Sequence, residues 1–212
     1  MACGLQPNVQ NHVQKISTAT VIIILFSIIF LGLFRCVKYG KIKIFKYLNC
    51  SVQHITIRKI EAEDSTKLAI IIRQVFEEYN APKYGTVYSD PTTDDLFSLF
   101  KAEQSVLWVA EVNEKLVGCC GVYPTIGLPD GYAELVKFYL HKDARGLGVG
   151  KALMEQCTKS AIELGYTHLY LESMPEFGNA INIYQKQGYK QLNHPLGESG
   201  HTSCNVWMVK EV

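Results

Sequence analysis

The most informative stretch of the chain is Ala144-Arg-Gly-Leu-Gly-Val-Gly-Lys-Ala-Leu153, in which three glycines alternate with larger residues. It follows an apolar segment, Tyr132–Leu140, whose pattern predicts a strand, and it precedes apolar residues at helical spacing. Glycines at such a junction let a ligand approach the backbone closely. Because the free N–H groups at the start of a helix form an anion site, the stretch predicts a site for phosphate or pyrophosphate.

Two familiar phosphate loops are excluded by the spacing of these residues. A Walker A loop requires a glycine where this chain has Arg145, and a serine or threonine where it has Ala152. A dinucleotide-binding G-x-G-x-x-G loop that begins at Gly146 requires a glycine where the chain has Lys151. The stretch is therefore an arginine followed by G-x-G-x-G, which belongs to neither class.

The hydrophobic pattern around this stretch predicts a single α/β domain with a mixed sheet over residues 52–212. Short alternating segments predict seven strands, which are His54–Lys59, Ser105–Val112, Lys115–Tyr123, Tyr132–Leu140, His168–Glu172, Tyr189–Leu192 and Cys204–Lys210. Asn113 and Glu114 are predicted to join the second and third strands as a two-residue hairpin turn. The adjacent Cys119 and Cys120 should point to opposite faces of their strand.

Apolar positions three and four residues apart predict four helices between these strands. The helices contain Leu68–Tyr79, Leu96–Phe100, Val149–Leu164 and Glu176–Lys186. Asp64 and Ser65 offer an N-cap to the first helix, and Thr92 with Asp95 resembles a capping arrangement for the second. The predicted order is therefore β-α-α-β-β-β-α-β-α-β-β.

The glycine-rich stretch resembles motif A of the GNAT acetyltransferase superfamily, (Q/R)-x-x-G-x-(G/A), which Arg145, Gly148 and Gly150 fill. Upstream of it, Glu134–Arg145 is similar to the family's central strand and its approach to the loop. Downstream, Ala180–Tyr189 is similar to motif B, A-x-x-x-Y-x-x-x-G-(F/Y). The matches follow the family's order and spacing over most of residues 52–212, so the set is far more specific than a lone glycine loop.

The resemblance implies a GNAT-like fold, with a mixed, mostly antiparallel central sheet flanked by helices, and acetyl-CoA as the co-substrate. In this family the pyrophosphate rests on the loop backbone, and pantetheine runs beside the central strand. Carried over, the contacts fall on Phe138, Tyr139, Leu140, Arg145, Gly146, Leu147, Gly148, Val149, Gly150 and Lys151. The asparagine that many members place seven residues before the motif B tyrosine is Phe177 here, and the nearest candidate for its contact is Asn179.

Acetylation of an amine requires two proton transfers, and the resemblance supplies a candidate residue for each. The amine, with a pKa of about 10.4, must lose a proton, and the departing thiolate, with a thiol pKa of about 8.5, gains one. Tyr184 stands where many members keep the tyrosine that protonates the thiolate, although a tyrosine at this helical spacing also packs cores. Glu134 is the candidate base; its alternatives are to face solvent or to pair with Lys137.

Two more residues are candidates for the acceptor side of the site. His201 is a second candidate base, although a loop histidine is more often merely exposed. Glu172 comes late in its strand and either lines the acceptor pocket, caps a helix or faces solvent. The pocket itself is expected from the first helices, the loop at 80–91 and the loop at 195–203.

Charge is divided unevenly along the chain. Residues 1–50 hold six basic and no acidic residues, whereas residues 51–212 hold 15 basic and 20 acidic residues, a net charge of −5. An acidic domain argues against sequence-independent binding to nucleic acid and is compatible with a cationic amine substrate. The seven cysteines include no C-x-x-C pair and no Cys/His array at zinc spacing, so we expect reduced cysteines and no metal site.

The N-terminal region carries the pattern of a membrane anchor. Residues 16–34 contain no charged side chain, and as a helix they reach roughly 28 Å, close to the hydrocarbon thickness of about 30 Å. Five basic residues follow this run and only Lys15 precedes it, so the positive-inside rule places the large domain in the cytoplasm. We expect an N-terminal tail over 1–15, a single membrane-spanning helix over 16–34 and a basic juxtamembrane linker over 35–51. A mis-assigned start codon, which would give a cytoplasmic protein, is the alternative.

These observations predict an acetyl-CoA-dependent N-acetyltransferase that acts on a primary amine of a small molecule or peptide by direct attack. A non-catalytic acyl-CoA-binding module and a membrane-tethered interaction domain are the alternatives. The presence of both Glu134 and Tyr184 favours the enzyme. The identity of the amine and the oligomeric state stay open at this point.

Overall fold

The computed structural model describes residues 53–212, so the predicted tail, membrane helix and linker lie outside the described residues. The strands are β1 (Ile55–Lys59), β2 (Val106–Val112), β3 (Lys115–Tyr123), β4 (Tyr132–Leu140), β5 (His168–Ser173), β6 (Lys190–Leu192) and β7 (Val206–Glu211). The α-helices are α1 (Asp64–Glu78), α2 (Leu96–Leu99), α3 (Val149–Glu163) and α4 (Gly178–Lys186). Short 3-10 turns lie at Pro91–Asp94, Lys142–Ala144 and Pro175–Phe177. None of the helices in this described part is long and apolar enough to cross a membrane.

The strands form one seven-stranded sheet in the order β1-β2-β3-β4-β5-β7-β6. All neighbouring strands are antiparallel except β4 and β5, which are parallel. The β4–β5 pairing covers only three residue pairs, from Tyr132 with His168 to Glu134 with Tyr170. Beyond Glu134 the side of β4 that faces β5 has no strand partner within residues 53–212. The sheet is therefore mixed and mostly antiparallel, as predicted, and it opens at its centre.

Helices cover both faces of the sheet, and each face has its own apolar core. On one face α1 buries Leu68, Ile72 and Phe76, and on the other α3 buries Leu153 and Cys157. The alternation of side chains along a strand divides β3 between the two cores, with Cys119 in the first and Cys120 in the second. The prediction that these adjacent cysteines point to opposite faces is confirmed.

The turn between β2 and β3 is formed by the two predicted residues. Asn113 and Glu114 have φ angles of 49° and 64°, which is the left-handed backbone that a two-residue hairpin turn of type I′ requires. The twist of this turn matches the twist of the two strands, so two residues suffice to reverse the chain.

The predicted helix caps were partly wrong. The N-cap of α1 is Glu63, without a side-chain hydrogen bond, because the Asp64 carboxylate is engaged by Arg58, with Oδ2 2.7 Å from Nη1. Asp95 is the N-cap of α2 and accepts from the Ser98 N–H at 3.1 Å. Asp90, rather than Thr92, caps the preceding 3-10 turn and accepts from the Thr92 N–H at 2.9 Å.

Candidate active site

The glycine-rich loop lies between the end of β4 and the start of α3, as predicted. Gly146 and Gly148 have φ angles of 78° and 88°, which strongly favour glycine, and Gly148 is the N-cap of α3. A Cβ atom added at either glycine would meet nothing within 4 Å, so the space above the loop is open. The loop therefore exposes backbone next to a helix N-terminus and fits the pyrophosphate group that its sequence predicts.

The third glycine of the loop has a packing role instead. A Cβ atom at Gly150 would lie 3.1 Å from a Leu140 side-chain carbon and 3.3 Å from one of Phe138. Glycine at this position lets the first turn of α3 approach the end of β4 closely. This close approach holds the loop against the strand along which pantetheine is predicted to run.

The remaining loop residues differ in their side-chain positions. Val149 is fully buried in the core, whereas the side chain of Leu147 is partly exposed, and neither side chain lines the adjacent cavity. Any contribution of these two residues to a ligand therefore comes from their backbone. Lys151 lines the cavity, and its exposed ammonium is 3.7 Å from the Glu155 carboxylate on the next turn.

A cavity of about 490 Å³ extends from this loop to the opening between β4 and β5. The residues that line it come from all parts of the predicted site, among them Gly146, Gly148, Phe138, Leu140, Glu134, Asn179, Tyr184, Glu172 and His201. The fold thus brings the glycine loop and both candidate catalytic residues into one cavity.

Glu134 lies on β4 at the last residue pair that joins it to β5. Only 4% of the residue is exposed, and its Oε2 accepts a hydrogen bond from the Thr125 hydroxyl. Burial raises the pKa of Glu134 to about 7, and the nearby negative charge of Glu172 also raises it. The carboxyl neither faces solvent nor pairs with Lys137, whose ammonium binds Asp90 instead. A carboxylate with a pKa near neutrality is suited to act as a general base.

Tyr184 lies on α4 and is only 7% exposed. Its ring packs 5.8 Å from the ring of Tyr189 and 6.1 Å from that of Phe138, between centroids. Burial raises the pKa of Tyr184 above its ordinary value, so the hydroxyl keeps its proton at physiological pH. Tyr184 therefore packs in the core and also lines the cavity, and its role as the acid stays a prediction.

Arg145 joins the loop to α1. Its Nη1 and Nη2 donate to the two Glu78 carboxylate oxygens at 2.6 and 2.8 Å, and its Nε donates to the Leu140 carbonyl at 3.2 Å. Its Nη1 also donates to the Tyr79 hydroxyl at 3.1 Å. The guanidinium thus fixes the end of β4 against α1, and its contact with a cofactor stays a prediction.

An aromatic wall that the sequence did not predict closes one side of the cavity. Phe177 packs edge-on against Phe76 and Tyr79, with ring centroids 5.4 and 5.5 Å apart. Tyr139 packs against Phe76 at 5.6 Å and also lines the cavity. Phe177 occupies the place of the family's asparagine, while Asn179 lines the cavity from the first turn of α4.

The β6–β7 loop, which contains His201, makes backbone hydrogen bonds to two other loops. The Ser203 N–H donates to the Gly85 carbonyl at 3.1 Å, and the Glu198 N–H donates to the Ile126 carbonyl at 2.8 Å. The loop between β6 and β7 is therefore held between the loop at 80–91 and the loop at 124–131. Val87 and His201 from the two loops expected to form the acceptor pocket line the cavity, and the position of the acceptor stays a prediction.

Both acceptor-side candidates line the cavity. His201 lies in the β6–β7 loop with its Nε2 3.5 Å from Asp90 Oδ2. Glu172 accepts from the Tyr170 hydroxyl at 2.8 Å and from the Ser199 hydroxyl at 2.7 Å, so its carboxylate is held inside the site. Glu172 therefore lines the cavity, and its place in an acceptor pocket stays a prediction.

Sequence reasoning missed several residues around the site, chiefly Asp90, Thr125, Lys137 and Cys204. Of these residues, Lys137 could most readily have been identified from the sequence as a site residue. It is a charged residue between Val136 and Phe138 in an otherwise apolar stretch of β4. The other three lie in loops or next to a strand end, where no periodic pattern distinguishes a residue that faces a cavity from one that faces solvent.

Comparison with known proteins agrees with this geometry. A model of the acetyltransferase (GNAT) family matches residues 72–189. The uncharacterized N-acetyltransferase YjgM of Escherichia coli K12 is 31% identical over 165 residues, which are 77% of this chain and 99% of that relative.

Solved structures share the fold. A GNAT-family acetyltransferase from Staphylococcus aureus Mu50 superposes with a TM-score of 0.66 at 20% identity, over 74% of this chain and 99% of that one. The PaiA N-acetyltransferase of Thermoplasma acidophilum, solved in complex with coenzyme A, superposes with a TM-score of 0.59 at 20% identity, over 75% of this chain and 99% of that one.

The family match spans the elements that form the site. Residues 72–189 include β4, the glycine-rich loop, α3 and Tyr184. The family match and the YjgM relative both cover more than half of the chain, and the open sheet with a glycine loop beside it agrees with them. The chain therefore belongs to the acetyltransferase (GNAT) family and is an acyltransferase.

Proposed function

We propose that the protein is an acetyl-CoA-dependent N-acetyltransferase that transfers the acetyl group to a primary amine by direct attack. The observation that carries the proposal is a single cavity lined by the glycine loop, by Glu134 and by Tyr184. The PaiA structure, which holds coenzyme A, shares the fold and supports a CoA ester as the donor. The site offers candidates for three groups that the reaction requires, which are an anion site, a base and a hydrogen-bond donor to the departing sulfur.

The chain offers two sets of groups to the donor. The loop has open space at Gly146 and Gly148 beside the N-terminus of α3, and its backbone there suits a pyrophosphate. The side of β4 that lacks a strand partner beyond Glu134 suits the amide groups of pantetheine. Acetyl-CoA, when bound, supplies an acetyl group whose bond to sulfur breaks as a bond to the amine nitrogen forms.

Glu134 removes the proton that the amine must lose. An alkylamine with a pKa of about 10.4 is mostly protonated at neutral pH and is then no nucleophile. Near pH 7 a substantial fraction of Glu134 is ionised, since burial raises its pKa to about 7. Its carboxylate accepts the ammonium proton directly or through one water, and the second nitrogen proton leaves after the C–N bond forms and balances the proton that the released thiolate takes up.

Tyr184 stabilises the departing sulfur. Its buried hydroxyl stays protonated and can donate to the developing thiolate, whose thiol has a pKa of about 8.5. Because the pKa of Tyr184 is raised, its tyrosinate form is a stronger base than the CoA thiolate. Full transfer of the proton from Tyr184 to the sulfur is therefore unfavourable. Its contribution is therefore chiefly a hydrogen bond to the negative sulfur.

Direct attack is favoured over transfer through an enzyme thioester. Cys204 lines the cavity, but burial raises the pKa of its thiol to about 12. A thiol with that pKa carries very little of the thiolate form that acts as a nucleophile at pH 7. The acetyl group therefore passes directly to the amine, and no thioester intermediate forms on Cys204.

The test is release of free thiol from acetyl-CoA by the full chain with a panel of primary amines, and identification of the acetylated product. Replacing Tyr184 with Phe should lower kcat roughly ten- to a hundredfold. Tyr166→Phe is the matched control, because its hydroxyl bonds the Gln104 carbonyl outside the cavity. If the wild-type chain binds CoA but acetylates no amine, the protein is a binding module and the proposal is wrong.

We also propose that residues 16–34 tether this domain to a membrane with the domain on the cytoplasmic side. The length of the uncharged run and the basic residues that follow it support this. The full chain should stay in the membrane fraction after washing with high salt or alkaline carbonate, and detergent should release it. Recovery in the soluble fraction after a salt wash would contradict a spanning helix.

A further inference from the structure

The central strand contains a bulge at Lys137. Cys119 pairs with Tyr139 and Gly121 pairs with Val136, so Lys137 and Phe138 of β4 together oppose Cys120 of β3. Lys137 has a φ angle of 53°, in a region where residues other than glycine, asparagine and aspartate are uncommon. A bulge changes the direction of the residues that follow it. These residues are Phe138, Tyr139 and Leu140, which line the cavity.

The Lys137 side chain is buried and leads to the acceptor loops. Its side chain is only 4% exposed, and its Nζ lies 3.0 Å from Asp90 Oδ2 and 3.4 Å from Thr93 Oγ1. The Thr93 hydroxyl in turn donates to the Val87 carbonyl at 2.8 Å. A lysine is rarely buried unless its charge is paired, so Asp90 is its required partner. The ion pair thus ties the bulge to the segment that contains Val87, Asp90 and Thr93.

The same aspartate reaches a second loop. Asp90 Oδ2 lies 3.5 Å from His201 Nε2 in the β6–β7 loop, and His201 lines the cavity. One carboxylate therefore contacts the central strand and the acceptor loop together. By contrast, the surface ion pair Arg73–Asp94 lies at the other end of the same 3-10 turn. Neither of its two residues lines the cavity.

We propose that Lys137, Asp90 and His201 are positioning residues, in which the Lys137–Asp90 pair fixes the β4 bulge and His201 holds the acceptor loop to it. The inference rests on the proposed acetyl transfer. The pair sets the direction of the strand beside the thioester, while the Asp90–His201 contact sets the distance of the acceptor loop from that strand. Neither Lys137 nor Asp90 exchanges a proton with the substrate.

The decisive experiment compares stability with turnover in the full chain. Asp90→Asn leaves a buried ammonium unpaired and should lower the melting temperature strongly, whereas the double variant Asp90→Asn with Lys137→Met carries no unpaired charge and should regain most of it. The double variant should keep its affinity for CoA, measured by calorimetry. Its kcat should nevertheless stay on the order of ten- to a hundredfold below wild type, since small displacements at a reacting centre cost this much.

Two further variants and one control separate a positioning role from a purely structural one. Lys137→Gly removes the ammonium but suits a positive φ, so it should fold and show the same loss of kcat. His201→Gln should raise KM for the amine while the acid limb of the pH profile, which belongs to Glu134, is unchanged. Asp94→Asn is the matched control on the same turn and should leave kcat unchanged.

The outcomes distinguish a failure of this inference from a failure of the proposed acetyl transfer. Wild-type kcat in the double variant or in Lys137→Gly would show that the pair only stabilises the fold, and it would overturn the inference. Loss of CoA affinity together with kcat would overturn it as well, because the role would then be structural. A wild-type chain that binds CoA and acetylates no amine instead overturns the proposed function, and this inference with it.

Discussion

At the scale of single residues, the environment assigns different roles to chemically identical side chains. Glu134 and Glu78 are both glutamates near the cavity, yet burial raises the pKa of the first while the Arg145 guanidinium lowers the pKa of the second. A carboxyl with a raised pKa can take up a proton near pH 7, whereas an ion-paired one cannot. These environments support the proposal that Glu134 is the base, whereas the Glu78 carboxylate is held in an ion pair with Arg145.

The pH dependence of the reaction follows from Glu134. Its ionised form is the active base, so kcat/KM should rise as pH increases through about 7. Deprotonation of the free amine adds a separate rise nearer its own pKa of about 10. Glu134→Gln should abolish the rise near 7 and lower kcat on the order of a hundredfold or more.

The matched control for this profile is Glu163→Gln, which removes an exposed carboxylate that pairs with Lys159 at 3.8 Å. Within residues 53–212 this is the one ion pair of Glu163, so the substitution should leave both limbs of the profile unchanged. Persistence of the limb near pH 7 in Glu134→Gln would assign the base to another group, and His201 would be the next candidate.

At the scale of elements, the loop between β4 and α3 shows how one turn serves binding and packing. Gly148 has a positive φ and open space above it, whereas Gly150 allows close packing of α3 on the end of β4. The pattern G-x-G thus combines a conformational requirement with a steric one. The bulge at Lys137 is a second irregularity, in the strand that leads into this loop.

Gly148→Val should weaken CoA binding, measured by calorimetry or by KM for acetyl-CoA. Valine at a φ of 88° costs about 1–3 kcal/mol of backbone strain, and its side chain enters the space above the loop. Gly165→Val is a close control, since Gly165 has the same φ and equally open surroundings at the other end of α3. Both variants should lose stability, but only Gly148→Val should lose affinity. Equal affinities would contradict the anion-loop assignment.

At the scale of the whole domain, stability comes from two cores on opposite faces of the sheet. Leu68 on α1 and Leu153 on α3 are each fully buried in one of them. Because β4 and β5 share only three residue pairs, the core under α3, which contains Leu135 of β4 and Leu169 of β5, helps to hold the two parts of the sheet together. The cavity can open between β4 and β5 for this reason.

Leu68→Ala and Leu153→Ala should each lower the free energy of unfolding by about 2–5 kcal/mol, measured by urea denaturation of the full chain. Ile162 lies on the same helix as Leu153 but is 55% exposed, so Ile162→Ala should change stability by less than about 0.5 kcal/mol. If only one of the two leucines matters, the other core contributes little to stability, and the conclusion that both cores stabilise the domain is wrong.

The sequence alone determined the element order, the β2–β3 turn and the position of the glycine loop. These features depend on local periodicity and on residues such as Asn113 and Gly148, whose conformational preferences act over a few positions. The resemblance to the family added Glu134 and Tyr184, which the structure brings into one cavity.

Tertiary structure alone decided the partners of the charged groups. Arg145 binds Glu78, 67 positions away, and Lys137 binds Asp90, 47 positions away. The raised pKa of Glu134 and the bulge in β4 likewise depend on burial and on strand register. Such features result from contacts between segments distant in sequence. No local pattern encodes which charged groups will form ion pairs or which carboxyl group will be buried away from water.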